Sequence, residues 1–342
     1  MTDDARRVVH AVRSDSFAGV ERYVCDVSGE LLRRGWEVAV VGGDPKAMRQ
    51  ALPEGARLVP ATTTAAVLRA LVGLGRTPLV HAHMTAAETA SVASRPVTGA
   101  RVVATRHFAA PRGGSTPVRV AGRLVARGIS REVAISRFVA SALGGEPLVL
   151  LNGVPNRAGR PDPASRTVLV IQRLQAEKDT ETAVRAFALS GLAADRWTLQ
   201  VTGRGPLLDP LRQLASELGI GGATEFLGFV DDPGALRHRA AAFLATAPAE
   251  PFGLSVAEAM AAGLPVVAAD GGAHGEVLGD TGLVFPAGDA AACAVLLRRL
   301  AHSPETRAHL GERAQDRQRR HLSLSGHVDR LEALYAEVLG AR

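Results

Sequence analysis

Two carboxylates bracket the start of an alanine-rich segment: Glu250 and Glu258 lie eight positions apart. If a helix begins near Phe252 or Gly253, Glu250 precedes it and Glu258 lies about one and a half turns inside it. The first amides of such a helix have no partner within the helix and carry a partial positive charge, which suits a phosphate or a sugar hydroxyl. Gly253 lets a ligand approach the backbone closely. The spacing alone is also typical of a glutamate favoured by the helix dipole with a second one in a surface turn.

The elements that must position these side chains follow a regular alternation. Short β-branched runs are separated by stretches of helical period, first at residues 6–12, 38–43, 79–83, 101–107, 133–136 and 148–151. The pattern restarts at residues 167–174, 197–205, 225–230, 241–247, 264–270 and 282–286. Such βαβ alternation predicts parallel strands joined by right-handed crossovers. We therefore expect an α/β fold with two doubly wound, Rossmann-like parallel sheets.

A polar stretch with three prolines and two glycines, residues 152–166, interrupts the alternation. It predicts an N-terminal domain at residues 1–155, a linker at 156–165 and a C-terminal domain at 166–322. Open α/β sheets bind ligands at the carboxyl ends of their strands, so we expect the two domains to face each other across a cleft. The last helix, at 323–342, should pack back on the first domain because its apolar residues share one face: Val328, Leu331, Leu334, Tyr335 and Leu339.

Composition excludes several classes of protein. A length of 342 residues is typical of two domains. The net charge of +6 comes from scattered arginines and aromatics are only 4%, which argues against a nucleic-acid binder. Two cysteines, Cys25 and Cys293, cannot form a disulfide framework or a four-thiolate zinc site. No apolar run approaches the roughly 20 residues of a membrane span, and no secretory leader is recognisable, so we expect a cytoplasmic protein. We expect it to be a monomer or a homodimer.

Several segments, in this order along the chain, carry a family resemblance. The E-x7-E pair is followed by an alanine-rich helix and by G-x-P-V-V-A. Matching segments are AGVER at 18–22, ATRH at 104–107, AIS at 134–136, NGV at 152–154, QRL with EKD at 172–179, TGRGP at 202–206 and the stretch at 271–289. The chain resembles the retaining glycosyltransferases of family 4, which have the GT-B fold and use sugar nucleotides.

The resemblance implies roles for four charged side chains. Arg173 and Lys178 would neutralise the diphosphate of the donor and of the departing nucleoside diphosphate. Glu258 would accept hydrogen bonds from the ribose hydroxyls, and Glu250 would hold hydroxyls of the transferred sugar. A solvated arginine and lysine after a strand is the alternative interpretation of the first pair.

Further contacts with the donor are implied at backbone and apolar positions. These are Gly203 and Gly205 beside the nucleotide, Phe229 and Val230 against the base, and the helix start at Phe252, Gly253, Leu254 and Ser255. In the first domain, which would bind the acceptor, Gly19 would approach the phosphates. His107 would face the transferred sugar or the acceptor, although a core histidine at a strand end is equally typical of this position.

The sequence departs from the family pattern at four positions. Ala18 stands for the first glycine of its loop, Gln172 for the glycine before Arg173, and His274 for a proline. Asp179 stands for a glycine and adds a negative charge next to the expected phosphate ligand Lys178. None of these exchanges removes an implied charged ligand.

The expected chemistry needs neither a metal ion nor a resident cofactor. The sequence contains no D-x-D triplet to bridge a metal to the diphosphate. The resemblance implies that a nucleoside-diphosphate sugar is the co-substrate, and frequency in the family favours UDP over GDP or dTDP. Retention of configuration is implied by the family, and front-face attack within an ion pair is our hypothesis for it.

Two rival functions and the acceptor stay open. GLSVA at 253–257 resembles the G-x-S-x-G of a serine hydrolase, with Ser255 as nucleophile and His274 and His321 downstream. A non-catalytic protein that binds nucleotide sugars is the other rival. The acceptor would be a small molecule, a glycan or a lipid-linked compound, and residue usage favours natural-product assembly in a high-GC bacterium. Peripheral membrane contact would need a basic segment, for which the candidates are Arg112, Arg119, Arg123 and Arg127.

Overall fold

The computed structural model of the chain describes residues 6–14, 17–112 and 116–340, with the side chains of residues 116–121 excepted. Arg119, one of the arginines of the predicted basic segment, therefore lies outside the described side chains. The described residues divide into two units. Unit 1 ends at Gly153 and resumes at Leu324, and unit 2 spans Val154–Ser323.

Unit 1 contains a seven-stranded parallel sheet, with the strand order β3-β2-β1-β4-β5-β6-β7. The strands are Arg7–Val12 (β1), Glu37–Gly42 (β2), Arg57–Val59 (β3), Leu79–His83 (β4), Arg101–Arg106 (β5), Arg131–Ala134 (β6) and Leu148–Val149 (β7). Its helices are Gly19–Arg33 (α1), Pro45–Ala51 (α2), Thr64–Gly73 (α3), Thr85–Thr98 (α4), Thr116–Arg127 (α5), Arg137–Leu143 (α6) and Leu324–Leu339 (α14). The central strands β1 and β4 are almost wholly buried, as expected of a sheet covered on both faces.

The last helix of the chain, α14, completes the core of unit 1. Its apolar side chains Val328, Leu331 and Tyr335 are fully buried in a cluster with residues of α1 and of the central strands. Hydrogen bonds to Glu332 of α14 also fix this helix to unit 1. The guanidinium of Arg34 donates to Glu332 at 2.6 Å, and the indole Nε1 of Trp36 donates to the same carboxylate at 2.7 Å.

Unit 2 contains a six-stranded parallel sheet, with the order β10-β9-β8-β11-β12-β13. The strands are Thr167–Ile171 (β8), Thr198–Thr202 (β9), Thr224–Gly228 (β10), Ala242–Ala245 (β11), Val266–Asp270 (β12) and Leu283–Pro286 (β13). The helices are Thr180–Ser190 (α7), Leu208–Glu217 (α8), Gly234–His238 (α9), Leu254–Ala261 (α10), His274–Leu278 (α11), Ala290–Ala301 (α12) and Pro304–His321 (α13). Two such parallel-sheet, Rossmann-like units constitute the GT-B fold.

The proline-rich stretch is held by hydrogen bonds to unit 2. The amide of Val154 donates to the carbonyl of Leu322 at 2.9 Å. The amide of Asp162 donates to the carbonyl of His238 at 2.9 Å, and the stretch 156–165 belongs to unit 2. The first unit therefore ends at Gly153. The end predicted from the sequence is residue 155.

Some elements differ from the sequence expectation. The short strand β3 was not predicted, because Arg57 is exposed, Leu58 and Val59 are only partly buried, and the strand has no run of β-branched side chains. Two strands of unit 2, β8 and β9, end three residues earlier than predicted, since residues 172–174 and 203–205 form loops. Within the described part of the chain, no helix combines the length and the apolar character that crossing a bilayer requires.

Removing the buried side chain of Leu331 tests the contribution of α14 to unit 1. We expect Leu331→Ala to lower the free energy of unfolding of unit 1 by about 2–5 kcal/mol, because the cavity lies in a fully buried cluster. The control Leu124→Ala, whose side chain is 60% exposed, should change it by less than about 0.5 kcal/mol.

Urea unfolding followed by the fluorescence of Trp36 provides the measurement. A Trp197→Phe background removes the other tryptophan, which lies in unit 2. Equal stability of the Leu331→Ala and Leu124→Ala proteins would contradict the packing described here.

Candidate functional site

The loops that follow four strands of unit 2 meet at one edge of its sheet. Because all strands of this sheet are parallel, the residues after β8, β9, β11 and β12 leave at the carboxyl edge. Side chains and backbone groups join these loops. The amide nitrogen Nε2 of Gln172 lies 3.0 Å from the carbonyl of Lys178 and 3.2 Å from the hydroxyl of Thr246. The predicted site residues that lie in these loops include Lys178, Gly203, Gly205 and Glu250.

Lys178 and Glu250 form an ion pair at the carboxyl edge. The ammonium Nζ of Lys178 donates to Oε2 of Glu250 at 2.6 Å, and the side chains are only 15% and 17% exposed. Lys178 is the last residue of a single 3-10 turn after β8, and Glu250 lies in the loop before α10. The amide of Ala273 donates to the carbonyl of Glu250 at 2.8 Å, which fixes the backbone beneath the carboxylate. The structure thus brings a predicted phosphate ligand and a predicted sugar ligand into direct contact.

Arg173 does not join this pair. Its side chain is 55% exposed, and Nη2 donates to Oε1 of Glu177 at 3.1 Å. An exposed pair of this kind contributes little to stability, so the guanidinium can exchange partners at small cost. Its phosphate role stays a prediction.

Glu258 is held by a residue that sequence reasoning missed. Nη2 of Arg237 donates to Oε2 of Glu258 in a short contact, and the Arg237 side chain is 4% exposed against 31% for Glu258. Arg237 lies in α9, a five-residue helix, where nothing in the spacing distinguishes it from the exposed Arg239. A carboxylate anchored on one side by a buried arginine keeps a fixed orientation toward solvent on the other.

The start of α10 has the geometry predicted from the sequence. Gly253 caps the helix with φ +92°, a left-handed conformation that side chains rarely adopt, and Leu254 and Ser255 are the first helical residues. Phe252 is 2% exposed and anchors the turn in the core. The first amides of α10 lack partners within the helix and are available to an acceptor.

The backbone packing of the loops explains why residues 203 and 205 are glycines, without reference to a ligand. A Cβ atom at Gly203 would lie 1.8 Å from the carbonyl oxygen of Gln172, and one at Gly205 would lie 2.0 Å from that of Leu174. The loops after β8 and β9 therefore touch backbone to backbone, which only glycine permits. Beyond β10, the ring of Phe229 is 50% exposed, with the Arg204 guanidinium 5.0 Å from its centroid, and Val230 is half-buried beside it.

The departures from the family pattern in unit 2 are structurally accommodated. The Asp179 carboxylate caps α7 and accepts from the hydroxyl of Thr182 at 2.7 Å, so it is turned toward that helix. Gln172 supplies the bridge between loops described above. His274 is buried at the first turn of α11, where Nδ1 donates to the carbonyl of Ala269 at 3.0 Å. Burial lowers the pKa of His274, which favours its neutral form.

In unit 1, Gly19 is the first residue of α1. The amide of Ala18 donates to Oε2 of the buried Glu21 at 2.9 Å, an arrangement that caps the helix. Because Ala18 has φ −141°, no glycine is needed at that position. Glu21, the glutamate of the AGVER segment, therefore caps the N-terminus of α1.

Histidines dominate the other predicted site of unit 1. His107 follows β5 and is 6% exposed, and its Nε2 lies 3.1 Å from Nδ1 of His83. Nε2 of His83 lies 3.0 Å from Nδ1 of His10, and both of these rings are fully buried. Burial lowers the pKa of His107 and that of His10 to about 3, so both are uncharged at neutral pH. The strand alternation H-x-H at 81 and 83 is a signal that could have predicted this cluster.

Three of these rings lie close enough to suggest a metal site. Among the described residues, His10, His81 and His83 each place one ring nitrogen within 4.8 Å of the others. The nitrogens of His81 are already engaged, at 2.6 Å from the hydroxyl of Tyr335 and 2.7 Å from that of Thr105. Both nitrogens of His83 face other imidazoles. A metal ion would have to displace several of these bonds.

The predicted basic segment needs a correction. Arg112 is not presented to a surface: its side chain is 12% exposed and donates to Glu88 at 2.5 Å and to Glu132 at 2.7 Å. Glu88 is fully buried, so Arg112 neutralises a charge inside unit 1. Arg123 and Arg127 are exposed on α5.

The chain matches known families in both units. The family described as glycosyl transferases group 1 matches residues 157–317, and glycosyltransferase family 4 matches residues 17–146. The phosphatidyl-myo-inositol mannosyltransferase of Mycobacterium leprae is 30% identical over 321 residues, which cover 81% of this chain and 82% of that protein. The chain belongs to glycosyltransferase family 4.

Other relatives of this glycosyltransferase match in part or in fold. The glycogen synthase of Mycobacterium tuberculosis is 32% identical over 181 residues, and the match covers half of this chain but only 44% of that protein. The structure of Anabaena Alr3699/HepE in complex with UDP and glucose has a TM-score of 0.83 at 19% identity, covering 96% of this chain and 99% of that one. This similarity establishes the GT-B fold.

The serine hydrolase alternative is wrong for this glycosyltransferase. A nucleophile elbow requires a strand that runs directly into the serine. Here β11 ends at Ala245, ten residues before Ser255, which is the second residue of α10. No hydrogen bond joins Ser255 to a histidine in the part of the chain that the structure describes.

The buried histidines predict how the stability of unit 1 depends on pH. Each has a folded-state pKa below its ordinary value of 6.5: about 3 for His10 and His107, about 4 for His327 and well below 6.5 for His81 and His83. Unfolding releases these rings to bind protons below pH 6.5. Their contribution is therefore complete above pH 6.5 and falls as the pH drops toward 4, by about 1.4 kcal/mol per pH unit for each ring.

Urea midpoints at pH 7.5, 6.5 and 5.5, read from Trp36 fluorescence in the Trp197→Phe background, test this dependence. His107→Gln should reduce the slope, whereas His309→Gln, which removes an exposed histidine, should leave it unchanged. A midpoint that stays constant from pH 7.5 to 5.5 would show that the rings are not held neutral.

Proposed function

We propose that unit 2 binds a nucleoside-diphosphate sugar and that the enzyme transfers the sugar to a hydroxyl acceptor with retention of anomeric configuration. The observation that carries the proposal is the Lys178–Glu250 ion pair at the carboxyl edge of the sheet, with the α10 N-terminus following in the same loop. A lysine already held by a carboxylate has a partner that an incoming diphosphate can replace.

The ion pair supports a specific exchange on donor binding. The diphosphate carries more negative charge than one carboxylate, and the helix start adds further attraction. Lys178 would therefore transfer its hydrogen bond from Glu250 to a phosphate oxygen. The released Glu250 carboxylate then accepts from hydroxyls of the sugar, which a carboxylate paired with an ammonium does less well.

Other residues of unit 2 fit the nucleoside. Glu258, oriented by the buried Arg237, has its exposed side available to two ribose hydroxyls. The half-exposed ring of Phe229, with Val230 beside it, offers an apolar face to a base. Uridine is the base that we favour, and the UDP complex of the structurally similar Anabaena protein is consistent with it.

The transfer step is proposed to proceed on one face of the sugar. The bond from the anomeric carbon to the diphosphate oxygen breaks, and the leaving diphosphate keeps the electron pair. The acceptor oxygen bonds to the same face, and its proton passes to the departing phosphate oxygen. Lys178, the exchangeable Arg173 and the amides of α10 stabilise the developing charge, the role that a metal ion has in other transferases.

The acceptor is a hydroxyl compound that unit 1 is proposed to bind, with His107 at the end of β5. The named relatives include a phosphatidyl-myo-inositol mannosyltransferase and a glycogen synthase, so a lipid-linked or glycan acceptor is as compatible as a small natural product. The Mycobacterium relatives are compatible with a high-GC source.

Donor binding is tested by thermal shift with UDP, GDP, dTDP and UDP-glucose on matched lysine variants. The chain has two lysines, and Lys46 is exposed in unit 1, so Lys46→Met is the control for Lys178→Met. We expect UDP to raise the Tm of the wild type and of Lys46→Met, because a ligand that binds only the folded state stabilises it. Lys178→Met should lose most of this increase, and Lys178→Ala and Arg173→Ala should lower kcat/KM by roughly 10².

Two results would contradict the proposal. An equal UDP-induced shift in both methionine variants would place the phosphates away from Lys178. Donor binding with no transfer to any acceptor and only slow hydrolysis would favour the non-catalytic protein that binds nucleotide sugars.

A further inference from the structure

Three imidazoles of unit 1 form a hydrogen-bonded row from the sheet interior to the end of β5. Nδ1 of His10 faces Nε2 of His83 at 3.0 Å, and Nδ1 of His83 faces Nε2 of His107 at 3.1 Å. His10 and His83 are fully buried and His107 is 6% exposed. Parallel pairing places His10 beside His81 and Val12 beside His83, so the rings share one face of the sheet.

Each ring in this row has one proton to share. A neutral imidazole donates from one nitrogen and accepts at the other, and burial lowers the pKa of all three rings so that the neutral form dominates. The central ring, His83, must therefore donate to one neighbour and accept from the other. Only two directions are possible for the whole row, and they place the His107 proton on different nitrogens.

The unpartnered nitrogen of His10 decides between the two directions. Nε2 of His10 is buried and has no hydrogen-bond partner. If the hydrogen bonds were donated from His107 toward His10, Nε2 of His10 would carry the proton. It would then be a buried N–H group without an acceptor, which folded proteins rarely contain. If the hydrogen bonds are donated from His10 toward His107, Nε2 of His10 is an unprotonated nitrogen without a donor. Burying such an acceptor costs less free energy than burying an N–H group without an acceptor.

We propose that His10 and His83 act as positioning residues that fix the tautomer of His107, with the proton on Nδ1. His10 Nδ1–H donates to His83, and His83 Nδ1–H donates to Nε2 of His107. Nδ1 of His107 has no hydrogen-bond partner among the residues that the structure describes. The uncharged ring thus presents a single N–H donor at the end of β5.

Neighbouring groups are occupied and do not compete for the row. The carbonyl of Leu151 lies 2.8 Å from Nδ1 of His327, so that nitrogen carries the proton and Nε2 accepts from the Tyr23 hydroxyl at 2.8 Å. His81 is bonded at both nitrogens by the hydroxyls of Tyr335 and Thr105. A metal ion on His10, His81 and His83 would have to displace the hydrogen bonds that the accepting nitrogens of His81 and His83 already make.

The consequence rests on the proposed function. If His107 meets the sugar or the acceptor, it does so as a neutral donor to an oxygen and neither as a base nor as a cation for phosphate. A donor of fixed tautomer needs no reorganisation when the substrate oxygen arrives. The residues behind it, rather than His107 itself, would then determine that orientation.

Long-range proton–nitrogen correlation spectra of the full-length protein, labelled with 15N-histidine, read the tautomer directly. The His107 signals are those lost in a His107→Gln variant. We expect a protonated Nδ1 and a bare Nε2 in both His107 and His83. A protonated Nε2 on His107, a charged His107 ring, or zinc bound in stoichiometric amount with loss of these signals would overturn the proposal.

Two variants at position 10 reverse or preserve the direction. His10→Asp places an acceptor near the former Nδ1, so it should draw the His83 proton to Nε2 and move the His107 proton to Nε2. His10→Asn can still donate from its amide and should leave the His107 proton on Nδ1. A His10→Asp protein that folds and keeps the proton on Nδ1 contradicts the proposal, and if it does not fold, the wild-type spectrum decides.

Activity separates this proposal from the proposed function. His10→Asp should lower kcat/KM by about 10-fold or more, the value of one lost hydrogen bond, with UDP-induced stabilisation unchanged, and His10→Asn should keep most of the activity. If His10→Asp moves the His107 proton to Nε2 and kcat/KM stays unchanged, the tautomer of His107 has no role in catalysis. If the wild-type tautomer is as described but no nucleotide binds, the proposed function fails and the row stands.

Discussion

Two opposite charges that are 72 residues apart in sequence meet at 2.6 Å on the carboxyl edge of unit 2. This contact requires the loops after β8 and β11 to be held close together. The Gln172 amide bridges them, and Gly203 permits the backbone of the next loop to touch the carbonyl of Gln172. The arrangement of the candidate donor site therefore depends on backbone packing that exists before any ligand binds.

Most of the fold was predictable from the sequence because the alternation of buried runs is strong. The apolar face of the last helix predicted burial of Val328, Leu331 and Tyr335, and the structure buries all three. The strand β3 was missed because an edge strand that is half-exposed has no continuous apolar run. The ends of β8 and β9 were overestimated because residues 172–174 and 203–205 form loops of the site, and the linear pattern does not mark where the strand stops.

The candidate charged ligands were predicted from their resemblance to the family motifs, but their partners in the structure were not predicted. Nothing in a linear pattern indicates that Lys178 meets Glu250 or that Arg237 meets Glu258, since each pair joins separate loops or helices. The same holds for the polar core of unit 1, where His10 of β1, His83 of β4 and His107 after β5 form one row. Arg112 was predicted to belong to a basic surface segment, but its guanidinium pairs with the buried carboxylate of Glu88. The linear pattern does not reveal such a buried partner.

A crystal structure of the full-length enzyme with UDP tests most directly whether an anion replaces Glu250 as the partner of Lys178. We predict a diphosphate oxygen about 3 Å from Nζ of Lys178 and within hydrogen-bond distance of the first amides of α10, with the Glu250 carboxylate released. A bound diphosphate that leaves the Lys178–Glu250 pair intact, or that lies away from this edge of the sheet, would contradict it.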